Sequence, residues 1–131
     1  MAIFGALRAR RGGGRIIVGA TEHPSVYEAA MSMKGPYVIN EARVDKTGAY
    51  DVNMLAQSIA NDVAFVSVMQ VNNETGAIND IQKLASLTKK INKNSLFMSD
   101  GVQAYGKLPV KLHSTVVDLY TICLLYTSDA A

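Results

Sequence analysis

The chain has 131 residues, 49% of them hydrophobic and 18% charged, which suits a folded domain with one core and excludes a disordered polar tract. Its formal charge of +2 is local: Arg8, Arg10, Arg11 and Arg15 stand near the start with no acid among them, and the remaining nine Lys and Arg face eleven Asp and Glu. With no aromatic interleaved to stack a base, Arg8–Arg15 reads as a solvated helix end running into a glycine turn, not as a nucleic-acid face.

Taken in chain order, the pattern alternates. Ile3 to Arg11 predicts the tail of a helix, stopped by Gly12, Gly13 and Gly14. Arg15 to Gly19 predicts a short β-branched strand. Pro24 suits a first helical turn, and Val26, Ala29, Ala30 and Met33 keep helical spacing up to Gly35. Tyr37–Ile39 and Ala42–Val44 predict two short strands around a connection, and Lys46-Thr47-Gly48 a turn. Asp51 is placed to cap a helix whose apolar positions include Met54, Leu55 and Ile59.

Asp62 to Val71 predicts the strongest strand, apolar on both faces as a buried parallel strand should be. Beyond Asn72–Gly76, the positions Ile81, Leu84, Ala85, Thr88 and Ile91 predict a helix with Lys83, Lys89, Lys90 and Lys93 facing water. Ser95–Ser99 and Val116–Ile122 predict two further strands. Strands alternating with helices imply an α/β fold with a mostly parallel sheet flanked by helices, in which ligands collect at the carboxyl ends of strands. Asn72-Asn73 and Asp100 would stand at two such ends.

No stretch approaches the roughly 20 apolar residues of a membrane span, and the arginines follow rather than precede the apolar start, the wrong order for a secretory signal. The single cysteine, Cys123, has no partner for an internal disulfide, so a reducing cytoplasm is expected. Cys123 ends an apolar run with no basic neighbour to activate it. From spacing alone, a carboxylate such as Asp100 can be a metal ligand, a ribose binder, a helix cap or the partner of a cationic ring nitrogen. Asn73 can close a turn, and His23 can be a simple helix-entry residue.

The wording narrows these choices. Thr21-Glu22-His23-Pro24-Ser25-Val26, then Val66 to Gly76 ending Asn72-Asn73-Glu74-Thr75-Gly76, then Ser99-Asp100-Gly101-Val102-Gln103 continuing to Pro109, occur in that order. Together they resemble the cysteine desulfurases of the nitrogen-fixation and iron–sulfur-assembly type, within the class V aminotransferase fold. The resemblance covers about residues 2–122. It implies part of the large, cofactor-binding domain of a fold-type I pyridoxal phosphate enzyme over 1–122, with 123–131 a tail outside the family pattern.

The resemblance also implies roles. Asp100 matches the carboxylate beside the protonated ring nitrogen of pyridoxal 5′-phosphate, which deepens the ring's capacity to accept electrons. His23 matches the histidine that stacks on the ring and acts in proton movement. Asn73 and Gln103 match the residues that hydrogen-bond the ring's phenolic oxygen. No role is implied for Glu74 or Thr75, and no metal is expected.

L-cysteine is the implied substrate, a cysteine thiolate of the enzyme the implied sulfur acceptor, and alanine with an enzyme persulfide the implied products. The parent is expected to be a homodimer that passes sulfur to a scaffold protein. The phosphate-binding turn would precede the chain, the lysine motif Ser-x-His-Lys would follow Ile122, and the nucleophilic cysteine would lie further on. The 131 residues alone are therefore expected to be inactive and marginally stable. Met98 stands where the family often has histidine, and Gly101 where it often has alanine. A selenocysteine lyase or a small-amino-acid transaminase on the same fold, or a non-catalytic binding module, are the competing readings.

Overall fold

Five parallel strands form one sheet in the order β2-β1-β3-β4-β5. The computed structural model describes residues 2–10 and 12–122, so Arg11, Cys123 and the rest of the tail lie outside the described residues. The strands are β1 (Gly14–Gly19), β2 (Tyr37–Ala42), β3 (Val63–Ser67), β4 (Leu96–Asp100) and β5 (Leu119–Thr121). The helices are α1 (Ala2–Arg8), α2 (Pro24–Met31), α3 (Val52–Ser58) and α4 (Ile81–Ile91), with a 3-10 turn over Leu112–Ser114.

Alternate residues of each strand feed two apolar layers. Ile16, Val18, Phe65 and Met98 pack against α1 and α2 through Ile3, Leu7, Val26, Ala29 and Ala30. Ile17, Val66 and Phe97 pack on the opposite face against Leu55 of α3 and Ile81, Leu84 and Ala85 of α4. The two faces follow from handedness. From β1 the chain crosses outward to β2, then returns past β1 to β3 and moves on to β4 and β5. Right-handed crossovers in opposite directions must place their helices on opposite faces.

Several sequence expectations are corrected. Tyr37 to Ala42 is one strand rather than two short ones, because all six residues find partners on β1, from Gly14↔Tyr37 to Gly19↔Ala42. Val44 instead makes an isolated antiparallel bridge with Tyr50. The strong strand expected over Asp62–Val71 ends at Ser67, and Val71 bridges back to Ile78 across a turn. Only Leu119–Thr121 of the expected last strand is extended against β4.

Lys89 does not simply face water. Its Nζ lies 2.6 Å from Asp118 and 2.6 Å from the Ser95 carbonyl, while Asp118 also accepts the Phe97 amide at 2.7 Å. Met54 and Ile91, given apolar positions by periodicity, are 44% and 37% exposed because α3 and α4 each lie on the sheet by a narrower stripe.

The basic segment has structural employment. Arg15 makes a two-pronged contact with Asp62 at 2.7 and 2.9 Å, and Arg10 donates to the Asn94 carbonyl. Helix starts are capped as the sequence implied for α3, where Asp51 accepts the Met54 amide, and likewise for α4, where Asp80 accepts the Lys83 amide.

Buried asparagines tie the loops to the sheet. Asn79 is 5% exposed; its Oδ1 accepts the Tyr50 amide and its Nδ2 donates to the Met69 carbonyl, both at 2.9 Å. Asn92 donates to the carbonyls of Ala60 and Val63. Replacing Asn79 by Ala strands both of its backbone partners in a dry place and is expected to cost about 1–3 kcal/mol, read as a shift of the urea midpoint at unchanged slope. Ile17→Val should cost about 0.5–1.5 kcal/mol by the same measurement, whereas Val38→Ala, at a position 59% exposed, should stay within about 0.5 kcal/mol.

Candidate functional site

Because the crossovers from β1 and β3 leave on opposite faces, the carboxyl ends of these neighbouring strands diverge and open a crevice. Three polar segments meet there: Ala20–His23 after β1, Met69–Gly76 after β3, and Asp100–Gln103 at the end of β4. The motif residues, far apart in sequence, are thus brought to one end of the sheet.

Asn72 assembles the crevice. It is buried, its Nδ2 donates to the Thr21 carbonyl at 2.9 Å, and its Oδ1 accepts the amides of Glu74 and Thr75 at 2.8 Å. One side chain therefore both folds the turn and ties it to the β1 loop. Asn73, by contrast, is exposed on that turn. Sequence reasoning gave Asn73 a part as a cofactor contact and gave Asn72 none of its own. The signal that separates them is Asn72's place one residue after an apolar run, where the chain is still buried.

His23 is exposed and begins α2; its Nδ1 accepts the Ser25 amide at 3.2 Å and lies 2.8 Å from Ser25 Oγ. It is thus a helix cap, with the rest of the ring open to solvent. Asp100 is 5% exposed, and its Oδ1 accepts the Val102 amide at 3.0 Å, fixing the turn after β4. Gln103 is half-buried and accepts from Lys107 Nζ at 3.3 Å. Each of the four candidate residues therefore lies on a segment at the carboxyl end of the sheet.

Residues that the sequence gave no reason to weigh complete the floor. Glu22 is 7% exposed, and neither of its carboxyl oxygens has a hydrogen-bond partner among the described residues. Burial, and then the negative charge of Asp100, push its pKa up to about 8. The Met69 amide and the Ser67 hydroxyl oppose this rise, but neither reaches hydrogen-bonding geometry. Tyr50 is buried beside it, its hydroxyl 3.0 Å from Thr21 Oγ1, and is pushed up to about 12 by burial and by Glu22.

Gly19 makes this packing possible: a Cβ there would stand 1.9 Å from the Tyr50 hydroxyl and 3.0 Å from Glu22 Oε1. On β5, Tyr120 donates to Gln70 Oε1 at 2.7 Å and its ring covers Gly101, where a Cβ would stand 1.9 Å from the ring. Burial and the charge of Asp100 raise the Tyr120 phenol above its ordinary value.

The crevice is therefore acidic and built of hydrogen-bonding groups around a buried carboxylate. Among the described residues no group of three or more His, Cys, Asp or Glu is arranged to hold a metal ion, and no helix is long and apolar enough to cross a membrane. A separate groove of about 320 Å³ runs between Ile78–Gln82 and Leu108–Leu112 and touches the site only through Gln70.

Comparison with known proteins agrees with this architecture. The chain is 35% identical over 123 residues to a cysteine desulfurase of Sinorhizobium fredii, covering 92% of the chain and 31% of the relative. It is 35% identical over 124 residues to the cysteine desulfurase NifS of Azotobacter vinelandii, covering 93% of the chain and 30% of the relative. The chain thus spans about a third of the length of the curated relatives it matches. A solved NifS-like protein superposes with a TM-score of 0.81 at 30% identity, over 91% of this chain and 34% of its own. The family model for class-V aminotransferases matches residues 1–123, and with a sheet and crevice of this form the chain belongs to the aminotransferase class-V family.

Proposed function

We propose that the chain is part of the large domain of a pyridoxal-phosphate-dependent cysteine desulfurase, and that its crevice holds the ring of the cofactor. The observation that carries this reading is the buried Asp100 carboxylate at the end of β4. It is 5% exposed, held by the Val102 amide on one oxygen, and has no cationic side chain paired with it among the described residues. A buried anion in that state fits a ligand that brings its own N–H⁺. The relatives' names, and their similarity across nearly the whole of this chain, supply the chemistry.

When bound, pyridoxal phosphate supplies a conjugated cation that withdraws electrons from the substrate's Cα. Asp100 would hold the ring's N–H⁺ and keep it protonated. His23, anchored by its Nδ1 to Ser25, would present the rest of its ring to the cofactor's face and stand ready to take or give a proton. Asn73 and Gln103 would donate to the phenolic oxygen, fixing the tilt of the ring; the support for Asn73 is that it belongs to the turn that Asn72 ties down at the end of β3. Tyr120 and Gln70 would close the β5 side against water.

The reaction moves the sulfur of L-cysteine to a protein thiolate: the substrate C–S bond breaks, an S–S bond forms, and alanine leaves with a proton on the former thiol-bearing carbon. The anchoring lysine and the thiol are expected from the length of the relatives that this chain does not span. Residues 1–122 are accordingly read as part of one cofactor-binding domain and 123–131 as lying outside its pattern. A cytoplasmic homodimer that hands sulfur to a scaffold protein is the corresponding cellular setting.

In the protein carrying this segment, L-cysteine with a thiol reductant should yield alanine and sulfide in equal amounts, dependent on pyridoxal phosphate. Amino-group transfer to a keto acid, or turnover restricted to selenocysteine, would contradict the assignment. Asp100→Ala should weaken binding of pyridoxal phosphate by about 10- to 100-fold, the loss of a charge-assisted hydrogen bond of about 1.5–3 kcal/mol. His23→Ala should cost less, about 3- to 10-fold, as a stacking contact does. Both are read by titrating the ligand's absorbance.

A further inference from the structure

Glu22 is the most anomalous side chain of the crevice, and neither fold nor proposed chemistry uses it. Its two carboxyl oxygens are buried with no hydrogen-bond partner among the described residues, and a second orphan, Ser67 Oγ, is wholly buried on β3 facing it. Among the described residues, the groups around Glu22 come from four elements. The β1 loop gives Thr21 and the exposed His23, whose Nδ1 is turned to Ser25. The segment before α3 gives the Tyr50 phenol, β3 gives Ser67 and the Met69 amide, and β4 gives the Asp100 carboxylate. Tyr120 and Tyr105 stand beyond Asp100. Among the described residues, none of the groups that shift Glu22 is a cation.

Two carboxyls in one dry crevice without a cation cannot both ionise cheaply, and the one whose oxygens find no hydrogen-bond donor among the described residues keeps a proton. A cation placed against Asp100 removes the repulsion that holds that proton in place. We propose that Glu22 and Asp100 form one coupled pair, in which Glu22 carries the proton of the empty crevice and gives it up to solvent when a cationic ring binds at Asp100. One positive charge enters as one proton leaves, so the crevice keeps its net charge and the fold never holds two bare carboxylates. The ring as the entering cation rests on the reading of the site given above; the pair itself does not.

Burial and Asp100 together hold Glu22 near 8, which places the exchange across neutral pH. The folded value lies above that of the unfolded chain. Its contribution to stability is therefore complete below the ordinary carboxylate range and is lost as pH rises through about 8. The melting temperature of the ligand-free chain should fall between pH 5 and pH 8.5, and Glu22→Gln should remove most of that fall.

Carbon-13 NMR of the ligand-free 131-residue chain, with Glu22 assigned through Glu22→Gln, should show its carboxyl titrating well above the ordinary range and moving down in Asp100→Asn. Calorimetry with pyridoxal phosphate at pH 7, in buffers of different ionisation enthalpy, should show proton release in the parent and none in Glu22→Gln. An ordinary Glu22 titration, or one indifferent to Asp100→Asn, overturns the pair. Binding with the same proton count in Glu22→Gln overturns the exchange. Absence of binding at every pH overturns the ring site, while the ligand-free titration still decides the pair.

Discussion

The neighbouring of β1 and β3 is the constraint on which the rest depends. Between them the chain travels out to β2 and back, so two crossovers of one hand must leave opposite faces of the sheet. Glu22, Gln70, Asn72 and Asp100, polar yet buried, gather where those crossovers part. Asn72 bridges the parting through its bonds to Thr21 and to the turn at Glu74 and Thr75. Asn79 holds the Tyr50 segment to the end of β3. The apolar layers on either side do the ordinary work of a core. The crevice is the place where the topology leaves the core unfinished.

That setting explains how groups of ordinary chemistry acquire unusual properties. Asp100 and Glu22 are common carboxylates, and Tyr50 and Tyr120 common phenols. Collected at the carboxyl end of the sheet, they raise one another's proton affinity: Asp100 acts on Glu22 and Tyr120, and Glu22 on Tyr50, in a chain whose overall charge is slightly positive. The arginines that give the chain its positive sign are spent elsewhere, Arg15 on Asp62 and Arg10 on a carbonyl near the start of β4.

Sequence was informative where a physical signal is local. The helical spacing of Ile81, Leu84, Ala85 and Thr88, the cap at Asp51, and the apolar run through Phe65 and Val66 all gave their elements directly. It was less so where partners decide. β2 is continuous because six residues of β1 lie beside it, not because its own pattern is regular. Lys89 has a helix-surface pattern yet bonds to Asp118, which stands just before β5. Glu22 escaped notice for the same reason. A glutamate before a histidine at a helix entry looks solvated, and only the approach of β3, β4 and the Tyr50 segment buries it.

Gly101 and Tyr120 carry a consequence of another kind. The ring of Tyr120 fills the space that a methyl group at position 101 would need. The two positions therefore form a locked couple in the history of the chain. Alanine at 101 is admissible only after residue 120 has shrunk, and tyrosine at 120 only while 101 stays bare. A lineage passing from one arrangement to the other must go through the small–small combination, with a gap at the floor of the crevice and without the hydroxyl that now bonds to Gln70. The identity of a residue that touches no ligand thus restricts the order in which the crevice's own wall can be rebuilt.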